Sequence, residues 1–182
     1  MKKIETDRLI LRVLDESEAD KVLDYLVRNK EFFSEFEPQR KDEFYTIDYQ
    51  KQELKGDFKY IKDRSLLKLW VFAKDNHNSI IGQVTFYNIV PYVFLSCHIG
   101  YKSDKDIANK GIMTEAIRAG ITIMFKEYEI HRIEANVMEN NKPSIKILEK
   151  SGFIYEGIAN KILEVNGEWK DHLHYALINE EL

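Results

Sequence analysis

Between Asp106 and Phe125 the chain reads DIANKGIMTEAIRAGITIMF, a polar loop that turns at Gly111 into a long apolar run with helical spacing. A loop entering a helix leaves the first-turn backbone N–H groups without intrahelical acceptors and brings the positive end of the helix dipole beside them. Such a junction binds anions. A glycine lets the backbone close on the guest, and a pyrophosphate is the natural one, its oxygens taking the first-turn amides. A plain turn glycine is the other reading of Gly111.

The following stretch, HRIEANVMENNKPSIKILEKSGF from His131 to Phe153, carries further polar groups. Ile133, Ala135 and Val137 alternate as in a half-buried strand, Asn140-Asn141 makes a break, and Ile145, Ile147 and Leu148 outline a short helix that Gly152 ends. Ser144 falls in the first turn of that helix, beside an Asn141 suited to cap it. Glu134 shares a strand face with Asn136, while Glu156 and Glu164 lie near the next strand. Each of these glutamates also reads as a surface or structural carboxylate. Glu115 opens the long helix and complements its dipole.

Cys97 sits in the strand-like run FLSCHIGY, where a small buried core residue is a better reading than a nucleophile. Asp171, His172 and His174 have the residue types of a metal set, yet zinc needs more ligands at suitable spacing. Cys97 and His98 are adjacent in the chain rather than spaced as a ligand pair. No metal is expected.

The elements that must position these groups follow from periodicity. Arg8 to Leu14 reads as a first strand, and Asp15 with Glu18 as a capping box for a helix whose Ala19, Val22, Leu23 and Leu26 share one face. Glu31 to Arg64 holds one or two further helices, with Gly56 as a break. Strands at Leu69 to Lys74 and Ile80 to Tyr87 flank a DNHNS turn, and Val93 to Tyr101 follows a bend at Pro91. After the anion-site helix, the strand Arg132 to Val137 and the short helix, two closing strands meet at Asn166-Gly167, a strong hairpin signal. Strands and helices are mixed rather than strictly alternating, which predicts an α+β fold around a central sheet.

At 182 residues, 44% hydrophobic and 32% charged, the composition is that of an ordinary globular chain, read as one domain over 1–182. No apolar run is long enough to cross a membrane, and MKKIETDR lacks the apolar core of a signal peptide, so the cytoplasm is expected. A single cysteine excludes an intrachain disulfide framework. The net charge of −4 argues against nucleic-acid binding and tolerates cationic partners such as basic protein termini or polyamines.

Taken together, ETDRLILR (Glu5 to Arg12), NKEFFSEFEP (Asn29 to Pro38), NKGIMTEA, the spacing Asn141-x-x-Ser144, EKSGF (Glu149 to Phe153) and GEWKDHLHYAL (Gly167 to Leu177) span nearly the whole chain. In these segments the chain resembles the GNAT acyl-coenzyme A N-acetyltransferase superfamily, in its RimJ/RimL-like branch of protein N-terminal acetyltransferases. The resemblance implies a mixed, mostly antiparallel sheet flanked by helices and splayed between the strand ending at Tyr101 and the strand starting near Arg132. It implies acetyl-coenzyme A as cosubstrate, its pyrophosphate on backbone amides within Asn109, Lys110, Gly111, Ile112, Met113 and Thr114. The pantetheine arm would run beside Ile99, Gly100 and Tyr101 like an added strand, with Asn141 also on the cofactor side.

The chain departs from the superfamily signature at Ala108, where Gln or Arg is usual, and at Met113, where Gly or Ala is usual; Asn109 replaces a frequent glycine. Lys110 offers a phosphate contact, against the simpler reading of a solvated lysine. The resemblance makes Ser144 the candidate general acid toward the coenzyme sulfur and implies a glutamate or a water as base, Glu134 being the candidate residue. Many members carry a tyrosine four positions beyond the serine; here it is Leu148. The segment holding His172 and His174 carries no metal in the family. Phe32, Phe33, Phe36, Phe44, Tyr45 and Tyr49 fall where relatives build the acceptor-side wall, although core packing accounts for several of them.

The acceptor implied is the N-terminal alanine or serine of a ribosomal protein. An α-amine has a reference pKa of about 7.7–8.0 against about 10.4 for lysine, so it needs little help from a base. A polyamine or other small amine, or a non-catalytic acyl-coenzyme A binding module, are the alternatives, and both monomers and homodimers occur among relatives.

Overall fold

A computed structural model of the chain describes residues 3–107 and 110–182. Its elements run β1 (Lys3–Glu5), β2 (Leu9–Arg12), α1 (Ala19–Arg28), α2 (Lys30–Ser34), α3 (Ile47–Lys62), β3 (Leu67–Ala73), β4 (Asn76–Val90), β5 (Ser96–Ser103), α4 (Ile112–Lys126), β6 (Arg132–Val137), α5 (Lys142–Lys150), β7 (Ile154–Val165) and β8 (Glu168–Ile178). The strands form one eight-stranded sheet in the order β1-β2-β3-β4-β5-β6-β8-β7. Every neighbouring pair is antiparallel except β5 with β6, which the α4 crossover makes parallel.

Helices cover both faces, and the strand sequences reflect it. In β3, Leu67, Leu69 and Val71 enter one core while Trp70 and Phe72 enter the other, so the strand reads as a nearly continuous apolar run. The first core packs α4 and α5 against the sheet through Met113, Ala116, Ile117, Met124 and Leu148. On the opposite face α1 and α3 contribute Val22, Tyr25, Leu26 and Leu54. Gly120 lets α4 settle onto β4, since a Cβ there would stand 2.7 Å from Phe86 Cε2. Among the described residues no helix is long and apolar enough to cross a membrane.

Three local expectations are overturned, the first being the DNHNS turn: β4 begins at Asn76, so only Lys74 and Asp75 separate it from β3. Gly56 does not break the chain but lies inside α3, where a Cβ would meet nothing within 4 Å. A glycine costs a helix only about 1 kcal/mol, and the burial of Leu54 together with the Thr46 cap on Tyr49 N outweighs it. Asp15 and Glu18 form no reciprocal box: Asp15 caps a short 3₁₀ turn by accepting Ser17 N at 2.9 Å, while Glu18 turns to Arg12 and Lys21. The Asn166-Gly167 hairpin is as read, with φ of 54° and 79° at its two turn residues.

Candidate active site

β5 and β6 run side by side for only three register pairs, Ser96 with Arg132, Cys97 with Ile133 and His98 with Glu134. Beyond them the strands part. Ile99, Gly100 and Tyr101 stay paired to Phe86, Thr85 and Val84 of β4, so their other backbone edge faces the opening. An unpaired edge inside a sheet accepts a ligand that mimics a strand.

Tyr101 reaches from this edge to α5. Its hydroxyl donates to the Ser144 carbonyl at 3.0 Å and lies 2.7 Å from Ser144 Oγ. Burial holds the phenol pKa well above its usual value, with the Ser144 hydrogen bond opposing that rise. Ser144 is fixed from below by Asn141, whose Oδ1 accepts Ser144 N at 3.1 Å as the cap of α5. The capping role of Asn141 and the placement of Ser144 at the opening thus coexist.

At the other end of the opening, Gly111 begins α4 in the left-handed region at φ 72°, with no side-chain cap on the helix. The first-turn amides of Ile112, Met113 and Thr114 head the helix, where helix geometry gives them no intrahelical acceptor and no side-chain cap is found among the described residues. Met113 itself is buried, and its Sδ would stand 2.8 Å from a Cβ on Gly82, so a glycine in β4 makes the room that this methionine requires. Lys110 points its Nζ to the Asp106 carbonyl, 3.3 Å away. Ala108 and Asn109 lie outside the described residues. Below the loop, Arg8 donates to the Lys110 carbonyl at 2.9 Å and pairs with Glu115 at 2.6 Å.

Glu134 is half-buried and committed. Its Oε1 takes Arg132 Nε at 2.7 Å, and its Oε2 lies 3.4 Å from His98 Nε2 and 3.7 Å from His174 Nε2. The same Arg132 guanidinium pairs with Glu156, so the two glutamates share one cation. His98 stacks on Tyr87, and its Nδ1 is buried without a partner among the described residues. Glu164 is remote, opposite Trp169 near the β7–β8 turn. Cys97 is buried, and burial, helped by the charge of Glu134, pushes its thiol up to about 12. Asp171 accepts Lys161 N and His172 faces the Lys170 carbonyl; among the described residues no group of three His, Cys, Asp or Glu side chains is placed to hold a metal ion.

On the face opposite α4 the same edge opens into a cavity of about 440 Å³, where Gly100 and Tyr101 meet Phe36, Glu37, Phe44 and Tyr87. Two ion pairs lie in its wall, Lys102 with Glu37 at 2.7 Å and Lys68 with Asp57 at 2.6 Å. Burial lowers the Lys102 pKa, and Glu37 opposes the shift. Of the six aromatic residues read from the sequence, only Phe36 and Phe44 line this cavity. Phe33 packs on Tyr25, and Tyr45 and Tyr49 pack on Phe44. Sequence reasoning missed the Tyr101 hydroxyl, the Glu37 and Lys102 pair and Arg8, although Arg8 lies inside the segment ETDRLILR.

The family model described as an acetyltransferase (GNAT) domain matches residues 8–154. The [ribosomal protein uS5]-alanine N-acetyltransferase of Escherichia coli (strain K12) is 35% identical over 176 residues, covering 96% of this chain and 90% of its own. The crystal structure of the ribosomal-protein-S5-alanine acetyltransferase from Vibrio fischeri superposes with a TM-score of 0.94 at 33% identity, over 100% of this chain and 98% of that one. RimJ of Mycobacterium smegmatis, solved in complex with CoA-disulfide, gives 0.88 at 26% identity, over 96% and 83%.

Proposed function

Because the chain belongs to the GNAT acetyltransferase family, and so is an N-acetyltransferase, we propose that it carries acetyl from acetyl-coenzyme A to the α-amine of a protein N-terminus, an alanine or serine of a ribosomal protein. One observation carries this reading: the parting of β5 from β6 leaves an open backbone edge between the first turn of α4 and the Tyr101–Ser144 pair. Anion donors, a strand-like edge and a hydroxyl proton donor are the groups that an acyl-coenzyme A requires, which supports the reading.

In this reading the amides of Gly111, Ile112, Met113 and Thr114, with Lys110 and Asn109 before them, hold the pyrophosphate. The edge of Ile99, Gly100 and Tyr101 holds the pantetheine arm, and a backbone N–H there polarises the thioester carbonyl. Asn141 keeps the first turn of α5, and hence Ser144, against the sulfur side. The acceptor enters through the cavity and attacks as the neutral amine, its surplus proton passing to water or to Glu134. As the N–C bond forms the C–S bond breaks, and Ser144, backed by Tyr101, protonates the departing thiolate. Holding the two reactants together supplies much of the rate.

The test is thiol release from acetyl-coenzyme A with Ala-, Ser- and Met-starting basic peptides, their N-terminally blocked forms, and spermine. Turnover confined to free Ala or Ser termini supports the proposal. Turnover with spermine alone moves the protein to polyamine chemistry, and coenzyme binding without turnover on any amine favours a non-catalytic binding module.

A further inference from the structure

Glu115 poses a physical problem for the phosphate site just described. It stands in the first turn of α4, where a carboxylate suits an isolated helix but opposes an incoming dianion. Its hydrogen bonds hold it ionised: against the raising effect of burial, donation from Thr6 Oγ1 at 2.5 Å, Arg8 N at 3.0 Å and Arg8 Nε at 2.6 Å keeps its pKa below the usual range. The negative charge is therefore built in, and the residue that cancels it is specific. Arg8 spends its Nε on Glu115 and its Nη1 on the Lys110 carbonyl, 2.9 Å away, and its Nη2 lies 3.6 Å from where a Cβ on Gly111 would stand.

The second contact has a geometric effect. In a trans peptide the C=O and the next N–H point in opposite directions, so fixing the Lys110 carbonyl on Arg8 also fixes the orientation of the Gly111 N–H. A planar fork can hold a carboxylate and a carbonyl at once, which a lysine ammonium does less well. Thr6 and Arg8 belong to the turn between β1 and β2, more than a hundred residues from α4 in sequence, so the N-terminal segment sets the electrostatics of the loop.

We propose that Arg8 is a positioning residue for the coenzyme's pyrophosphate: it neutralises Glu115 in the first turn of α4 and holds the Lys110–Gly111 peptide in the orientation the anion needs. The inference rests on the cofactor reading above. Calorimetric titration with coenzyme A tests it in the unaltered protein, Arg8→Gln, Glu115→Gln and the double variant, with thermal denaturation of each. Arg8→Gln is expected to weaken coenzyme A binding roughly ten- to a hundredfold, and Glu115→Gln to tighten it about threefold. The double variant is expected to bind more tightly than Arg8→Gln, by more than the roughly threefold that Glu115→Gln gives alone, because the charge to be cancelled is gone, yet more weakly than the unaltered protein, because the Lys110–Gly111 peptide has lost its anchor.

An Arg8→Gln variant that keeps its fold and its affinity overturns the inference and leaves the cofactor reading standing. So does a double variant as weak as Arg8→Gln alone, the pattern of a residue that only supports the fold. Failure of the unaltered protein to bind coenzyme A removes the cofactor reading and this inference with it.

Discussion

The Tyr101 hydroxyl donates to the Ser144 carbonyl at 3.0 Å while lying 2.7 Å from Ser144 Oγ. A phenol has one proton, so with that proton on the carbonyl the shorter contact is one in which Ser144 donates. The two hydroxyls therefore act as one unit: at rest Ser144 donates a hydrogen bond to Tyr101, which fixes its rotamer, and in the proposed transfer Tyr101 turns its own proton to Ser144 as Ser144 gives its proton to the leaving sulfur. Tyr101→Phe and Ser144→Ala are each expected to lower kcat by about 10²-fold with little change in coenzyme A affinity. Steady-state kinetics on the double variant provide the check: a kcat no lower than that of the worse single variant marks a shared function.

Asp104 ties the loop that leads into α4 to the end of α1. Its carboxylate takes Arg28 Nε at 2.9 Å, Asn29 Nδ2 at 3.1 Å and Asp106 N at 2.9 Å. Burial raises its pKa, but these hydrogen bonds outweigh it and leave the pKa below the usual carboxylate value. The folded state therefore binds this proton less readily than the unfolded chain. The associated stability is present above the unfolded pKa of about 3.9 and is lost as pH falls through the folded value. Asp104→Asn should cost about 1–3 kcal/mol at neutral pH. Its deficit against the unaltered protein should shrink below about pH 4, as followed by urea denaturation across pH.

Gly120→Ala places a methyl 2.7 Å from Phe86 Cε2 and 3.0 Å from its Cζ. Helix propensity favours alanine by about 1 kcal/mol, whereas overpacking a ring that is fully buried costs about 1–3 kcal/mol. The expected net result is a lower melting temperature. A rise in Tm would mean that Phe86 has room to move.

In the cavity proposed to admit the acceptor, Glu37→Gln leaves the Lys102 ammonium without its carboxylate partner. An unpaired cation there repels an N-terminal ammonium, and KM for a basic peptide should rise about tenfold while coenzyme A affinity stays the same. Adding Lys102→Met should restore KM. Peptide kinetics paired with coenzyme titration separate this outcome from a general loss of fold.

Much of the fold was legible because burial is periodic. Ile133, Ala135 and Val137 alternate as sequence and are buried as structure, and the Asn166-Gly167 turn announces its hairpin by residue type. The Gly56 break was misread because the energy that keeps α3 continuous lies in Leu54 and the core it meets, outside the local window. Individual groups of the candidate site, including Gly111, Ser144 and the run at Tyr101, were visible as motifs. Their partnerships were not. Tyr101 meets Ser144 across 43 residues and Arg8 meets Glu115 across 107, and spacing holds no record of contacts made by topology.

The three rungs between β5 and β6 have a consequence for the lifetime of the chain. A ladder that stops at His98 and Glu134 leaves the midline of the sheet with fewer backbone bonds than any strand pairing of full length would provide. A guest that lays its own amides along Ile99 to Tyr101 splints that fracture, so occupancy and resistance to unfolding rise together. With free ligand at a hundredfold excess over Kd, the linkage amounts to about 2.7 kcal/mol. In the proposed reading, the gap that admits the acetyl donor therefore also makes the enzyme's survival against heat and proteases answer to the donor's supply.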